Sequence, residues 1–305
     1  MSIAKRTHQS PRFAAADRMQ QRCRLPDGRC LGYAEYGEAR GRPVFYFHGF
    51  PGSRLEARLA EHAAVSYGIR LIAVDRPGYG LSDVKRNRTL LDWADDTVHL
   101  ADFLEIPRFS VIGVSGGGPY AAACAFKTPR RLNTASLVCG LGPVVPGRRP
   151  NRAAGLSVHG LLLAGRSPLA AQLSFAAAAL MYREHPKFML ALASRRFAAC
   201  DRRALKIPQL HQLLCDSFRE AFRGSLLWPT RDVVLYGRDW GFPLHAIRVP
   251  VRLWHGEQDV VVPPAMGHRL ADEIPTCRAV FSPDDGHFSI IVKHLPEILE
   301  ELSKA

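Results

Sequence analysis

No two of the seven cysteines stand in a C-x-x-C spacing, and their number is odd. That argues against a zinc–cysteine motif and a disulfide scaffold, and points to reduced thiols in a cytoplasm-like, cytoplasmic setting. Long apolar runs are missing as well. The most apolar stretch, SPLAAQLSFAAAALMY at 167–182, carries a proline and a glutamine and is too short to span a bilayer comfortably. It reads as a buried or partly buried helix. The N-terminal MSIAKRTHQSPRFAAADRMQQ has no apolar core of the about 7–15 residues a secretory signal needs. Residues 1–24 are therefore expected to be a basic, disordered tail. Zinc spacing, an RNP-like run and a basic heptad are all absent, so no nucleic-acid partner is expected. Internal repeats and low-complexity tracts are absent too.

What is present is ample apolar material. With 305 residues, 47% of them hydrophobic, the chain can bury a large core and suits one big α/β domain with an insertion. The net charge of +13 is unevenly spread. Residues 1–24 hold six basic side chains against one acidic, and 143–245 hold fifteen against six. The rest is near neutral. Such excess most often solvates a surface. The sharper alternative is steering of an anionic ligand, or peripheral contact with an anionic lipid membrane.

Strand-like and helix-like segments alternate. Strands are expected at 29–37, 43–49, 69–75, 109–114, 132–142, 249–256 and 277–282. Helices are expected at 53–68, 89–106 with Thr89 as N-cap, 117–129, 264–274 and 288–303. Short connections between them imply a mostly parallel sheet with helices on both faces. A Pro/Arg-rich entry, GPVVPGRRPNR, and about a hundred residues of mainly helical composition interrupt the pattern. The expected organisation is thus a core of 25–142 and 246–305, with a helical cap insertion at 143–245.

The stretch VIGVSGGGPY (111–120) places Ser115 between a buried strand and a helix, in a G-x-S-x-G. In that context the turn must be so tight that the residues two before and two after the serine nearly touch. Gly113 and Gly117 permit this, and the serine is forced into a strained backbone that lifts its hydroxyl clear. The Gly116 N–H, at the start of the helix, faces the same space. A hydroxyl needs a base, and the base needs an orienting acid. His287, in SPDDGHFS, follows the last expected strand, where the sites of open α/β sheets gather. Asp259, in WHGEQDVVVPP, follows the strand before it, with Glu257 as the rival acid. His268 and His294 fall in expected helices and read as surface residues. A second oxyanion donor is expected from HGFPGS (48–53), by the Phe50 N–H, with His48 holding that loop.

HGFPGS, DRPGYGLS (75–82), GVSGGG, HGEQD and DGH occur in the order and rough spacing of the α/β-hydrolase superfamily. Over about 30–142 and 246–303 the chain resembles its capped branch, near epoxide-hydrolase-like and proline-iminopeptidase-like members, but with serine at the elbow where epoxide hydrolases carry aspartate. The resemblance implies a serine hydrolase with Ser115, His287 and Asp259 as triad, no organic or metal cofactor, and a small-molecule substrate, an ester with an apolar acyl or alcohol part. Other chemistries of such triads are carbon–carbon bond hydrolysis, perhydrolysis and aminopeptidase activity. A slow-turnover ligand receptor is the reading from a different class. Asp75, Gly78 and Gly80 read as a structural turn.

Overall fold

The computed structural model describes residues 17–144 and 167–305. Eight strands form one sheet in the order β1-β2-β4-β3-β5-β6-β7-β8. They are β1 (Gln21–Arg24), β2 (Cys30–Gly37), β3 (Arg42–Phe47), β4 (Ile69–Val74), β5 (Phe109–Val114), β6 (Leu132–Val138), β7 (Val251–Gly256) and β8 (Cys277–Ser282). The β1–β2 and β2–β4 pairs are antiparallel and the rest are parallel, so a hairpin opens an otherwise doubly covered sheet.

Two core clusters lie on opposite faces. One joins Phe45, Phe47, Phe109 and Val111 to helices α2 (Leu90–Phe103) and α3 (Gly118–Lys127). The other joins Val44, Tyr46, Ile112 and Val114 to α1 (Glu61–Ser66). Neighbouring strand residues thus alternate between faces, as the period-two side-chain rule requires. Thr89 caps α2 in a reciprocal pair with Asp92, which satisfies two orphan N–H groups.

Between β6 and β7 the described chain is helical: α4 (Pro168–Glu184), α5 (Pro186–Ser194), α6 (Ala199–Ala204), α7 (Pro208–Ala221) and α8 (Arg231–Tyr236). Leu190, Leu210, Leu214 and Phe218 form a cluster of their own, against which Phe288 and Val292 pack. After β7 come α9 (Pro264–Glu273) and, beyond β8, α10 (His287–Ser303), whose Ile290, Ile298 and Leu299 join the Val44 face.

Two expectations shift. Residues 21–24 are the edge strand β1, not part of a disordered tail; they pair residue by residue with β2. Residues 1–16 lie outside the described residues, as do Arg148 and Arg149 of the insertion. The segment 53–68 is a 3-10 turn (Arg54–Ala60) followed by the short α1, because its first residues are tied to other elements: Ser53 N–H donates to Ser217 Oγ and Arg54 N–H to Asp75 Oδ1. The helix at 167–182 forms and is partly buried, with Ala179 buried and Leu169, Leu173 and Leu180 exposed.

Candidate active site

The loops that follow β3 to β8 meet at the carboxyl ends of the parallel strands. Ser115 directly follows β5 with φ 52°, in the left-handed region that a side chain with a Cβ avoids. The glycine argument is visible in the contacts. A Cβ on Gly113 would stand 2.5 Å from Gly117 O, and one on Gly117 would stand 2.1 Å from Phe47 O. The turn therefore has no room for a side chain at either position.

His287 opens α10, and its Nδ1 pairs with Asp259 Oδ2 at 2.7 Å. Asp259 is fixed in turn, since its Oδ1 accepts the Val261 and Val262 N–H groups at 2.8 Å each. Burial disfavours the imidazolium, but the Asp259 carboxylate outweighs it and raises the His287 pKa well above the ordinary value. Glu257 is placed elsewhere. It is exposed and pairs with His268, at 3.0 Å. His268 is exposed, whereas His294 is largely buried between Asp285 and Glu297.

Phe50 and Gly116 approach one another. A Cβ on Gly116 would lie 3.2 Å from Phe50 N. Among the described residues, no hydrogen bond takes the Phe50 N–H. His48 is fully buried, its Nδ1 2.9 Å from the Gly49 carbonyl and its Nε2 accepting the Arg76 N–H at 3.3 Å. Those two bonds fit one neutral tautomer. Burial, reinforced by Arg76, holds the His48 pKa well below its ordinary value.

Three acidic groups escaped the sequence reading. Asp232, in α8, is completely buried and accepts from Arg76, Arg88, Tyr79 and Tyr120. Burial alone would raise its pKa, but Arg88 and Arg76 overcome that and hold it well below the carboxylate range. Arg76 also donates to the carbonyls of His48 and Gly49, and Tyr236 OH to that of Gly116. One buried ion cluster thus ties the inserted helices to the loops that carry Gly49 and Gly116.

Asp201, in α6, is the second. It is completely buried and accepts three backbone N–H groups, those of His287 (2.8 Å), Phe288 (2.8 Å) and Ser289 (2.9 Å). These are orphan donors of the first turn of α10. A Cβ on Gly286 would stand 2.3 Å from Asp201 Oδ2, so glycine there makes room for the carboxylate. The third is Glu56, discussed below. No local pattern marks Asp232 or Asp201, because their partners lie far away in sequence.

A pocket of about 130 Å³ is lined by Ser115, His287, Phe50 and Glu56 on the sheet side, and by Tyr182, Leu190, Leu214 and Phe218 of the inserted helices. The exposed Arg195, Arg196, Arg202 and Arg203 do not line it. Cys139, completely buried after β6, brings its sulfur to 4.0 Å from His287 Nε2. Cys139, His287 and Asp259 are the one trio among the described residues whose donor atoms could converge on a metal. There His287 Nδ1 and Asp259 Oδ2 already satisfy each other.

A family model described as the alpha/beta hydrolase fold matches residues 42–294. A dihydrolipoyllysine-residue acetyltransferase component of an acetoin cleaving system from Pseudomonas putida is 32% identical over 81% of this chain, which spans 64% of that relative's length. A bifunctional esterase/perhydrolase from Acinetobacter calcoaceticus is 24% identical over 78% of this chain and 81% of its own. An esterase structure from Exiguobacterium antarcticum superposes with a TM-score of 0.67 at 18% identity, covering 94% of this chain and all of that one. Among the described residues, no helix is long and apolar enough to cross a membrane.

Proposed function

The chain belongs to the α/β-hydrolase fold family, and from that premise we propose that it is a serine hydrolase of small carboxylic esters. The observation that carries this reading is a strained serine at the end of β5, in a pocket shared with a histidine that pairs with a buried aspartate. In the proposed mechanism Ser115 Oγ attacks the ester carbonyl while His287 takes its proton. The Phe50 and Gly116 N–H groups receive the oxyanion. His287 then protonates the leaving alcohol, and a water activated by the same imidazole releases the acid. Asp259 keeps the histidine tautomer and stabilises its charged form without taking the proton.

Residues 143–245 act in this reading as the cap that shapes the substrate, and the mostly apolar lining suits a short apolar acyl or alcohol group. The thiols, none of them disulfide-bonded among the described residues, agree with a cytoplasmic setting. Perhydrolysis is the second reading, favoured by the Acinetobacter relative's name. It needs hydrogen peroxide in place of the deacylating water. A panel of p-nitrophenyl esters, with and without peroxide, tests both. Rapid release that Ser115→Ala abolishes is the expected result, and tight ester binding without turnover would instead indicate a receptor.

A further inference from the structure

The wall of the Ser115 pocket is apolar for most of its extent, yet one carboxyl outside the proposed triad faces it. Glu56 sits in the 3-10 turn Arg54–Ala60. From the protein side it is held by two donors. The Tyr46 hydroxyl donates to Oε1 at 2.7 Å, and the Gly49 N–H is shared between both oxygens at 3.1 Å each. Arg76 acts on it through space, but directs its guanidinium to Asp232 and to the carbonyls of His48 and Gly49. Burial raises the Glu56 pKa, and Tyr46, Gly49, Arg76 and His287 counter only part of that.

Two features place this carboxyl in the path of a substrate. Gly49 separates it from the nucleophile: a Cβ on Gly49 would stand 3.4 Å from Glu56 Oε2 and 3.6 Å from Ser115 Cβ. Both groups thus flank one point that the missing side chain keeps open. The acceptor count is the second feature. A carboxylate offers about four lone-pair sites and no donor. Tyr46 and the shared Gly49 N–H leave part of Oε2 unclaimed, and an unmet acceptor against an apolar wall is costly.

We infer that Glu56 is the specificity-determining group of the pocket: it accepts a hydrogen bond from an amine or hydroxyl a few bonds from the reacting carbonyl, and it disfavours substrates that carry a carboxylate there. This deepens the serine-hydrolase reading and rests on it. The basic residues of the insertion do not reverse the preference. The described arginines Arg195, Arg196, Arg202 and Arg203 are exposed and absent from the pocket, whereas Glu56 lines it.

Three near-isosteric p-nitrophenyl esters test the inference: the butyrate, the 3-aminopropanoate and the hemisuccinate. In the wild type, kcat/KM for the amino ester should exceed that for the hemisuccinate by at least about tenfold beyond their difference in spontaneous hydrolysis, the scale of discrimination by one charged contact. Glu56→Gln should shrink that ratio about tenfold or more, whatever it does to the butyrate rate. An unchanged ratio in a folded Glu56→Gln protein, or a wild-type preference for the hemisuccinate, overturns the inference. Calorimetric titration of Ser115→Ala with n-butylamine and with butyrate gives a readout free of turnover. Preference for the amine there, with no ester hydrolysed by the wild type, keeps Glu56 and sinks the hydrolase. Ester hydrolysis with no preference between the two ligands does the reverse.

Discussion

At the scale of single residues, the chemistry concentrates on one hydroxyl. Ser115→Ala should abolish covalent labelling by a fluorophosphonate and lower ester hydrolysis about 10⁴-fold or more. Labelling that survives, or that maps to another serine, removes Ser115 from the role. The acid can be tested against its neighbour. Asp259→Asn should leave the fold intact and cut kcat strongly, because an amide does not stabilise an imidazolium. Glu257→Gln, whose partner is the exposed His268, should be mild. If the two effects are exchanged, the assignment of the acid is wrong. The pH profile carries the sign of the His287 shift. The base must be neutral to take a proton, so kcat/KM should fall as pH drops through the His287 pKa. Since Asp259 raises that pKa, the midpoint should lie above the ordinary histidine value of about 6.5. Asp259→Asn should move the midpoint down while lowering the plateau, and a midpoint that stays put would separate the two side chains functionally.

At the scale of elements, much could be read from the sequence wherever the signal is local. Gly113, Ser115 and Gly117 lie within five residues, and the steric demand of the turn acts on those residues alone. Thr89 and Asp92 announce their helix in the same way. Legibility fails where a residue's partner is remote. Asp201 meets the α10 N-terminus 86 residues on, and Arg76 meets Asp232 across 156. Nothing in ACDRRA distinguishes the aspartate from a solvated one. The 3-10 turn at Arg54–Ala60 was missed for the same reason, since Ser217 and Asp75 hold its entry. Removing the α10 clamp should show at this scale. Asp201→Ala leaves three buried N–H groups without an acceptor, at about 1–3 kcal/mol for each that finds no water. The melting temperature should drop by several degrees, and kcat should fall more than KM changes. An Asp201→Asn protein keeps one acceptor oxygen and should sit between the two. Equal melting temperatures for all three proteins would show that the clamp contributes nothing.

At the scale of the whole molecule, the basic charge and the proposed active site are separated in space. The basic excess of residues 143–245 sits, where it is described, mostly on exposed arginines and lysines, none of which lines the pocket. Screening by salt acts on such exposed charges over a Debye length of about 8 Å at 0.15 M. Raising the salt should therefore change kcat/KM for a neutral and a negatively charged ester of equal acyl length to the same degree. A selective loss for the anionic ester would instead assign the insertion a steering role.

The clamp on α10 also sets how the site can be opened. Asp201 belongs to the inserted helices, while the three N–H groups it holds belong to the helix that begins with His287. Swinging α6 away from the sheet withdraws the carboxylate and releases the first turn beneath the imidazole. In the proposed mechanism, access through that movement and alignment of His287 are then a single equilibrium, an interlock in which the open protein is also the disarmed one. Phe50 and Tyr182 line the same pocket without taking part in that clamp, so their movement leaves the first turn of α10 capped.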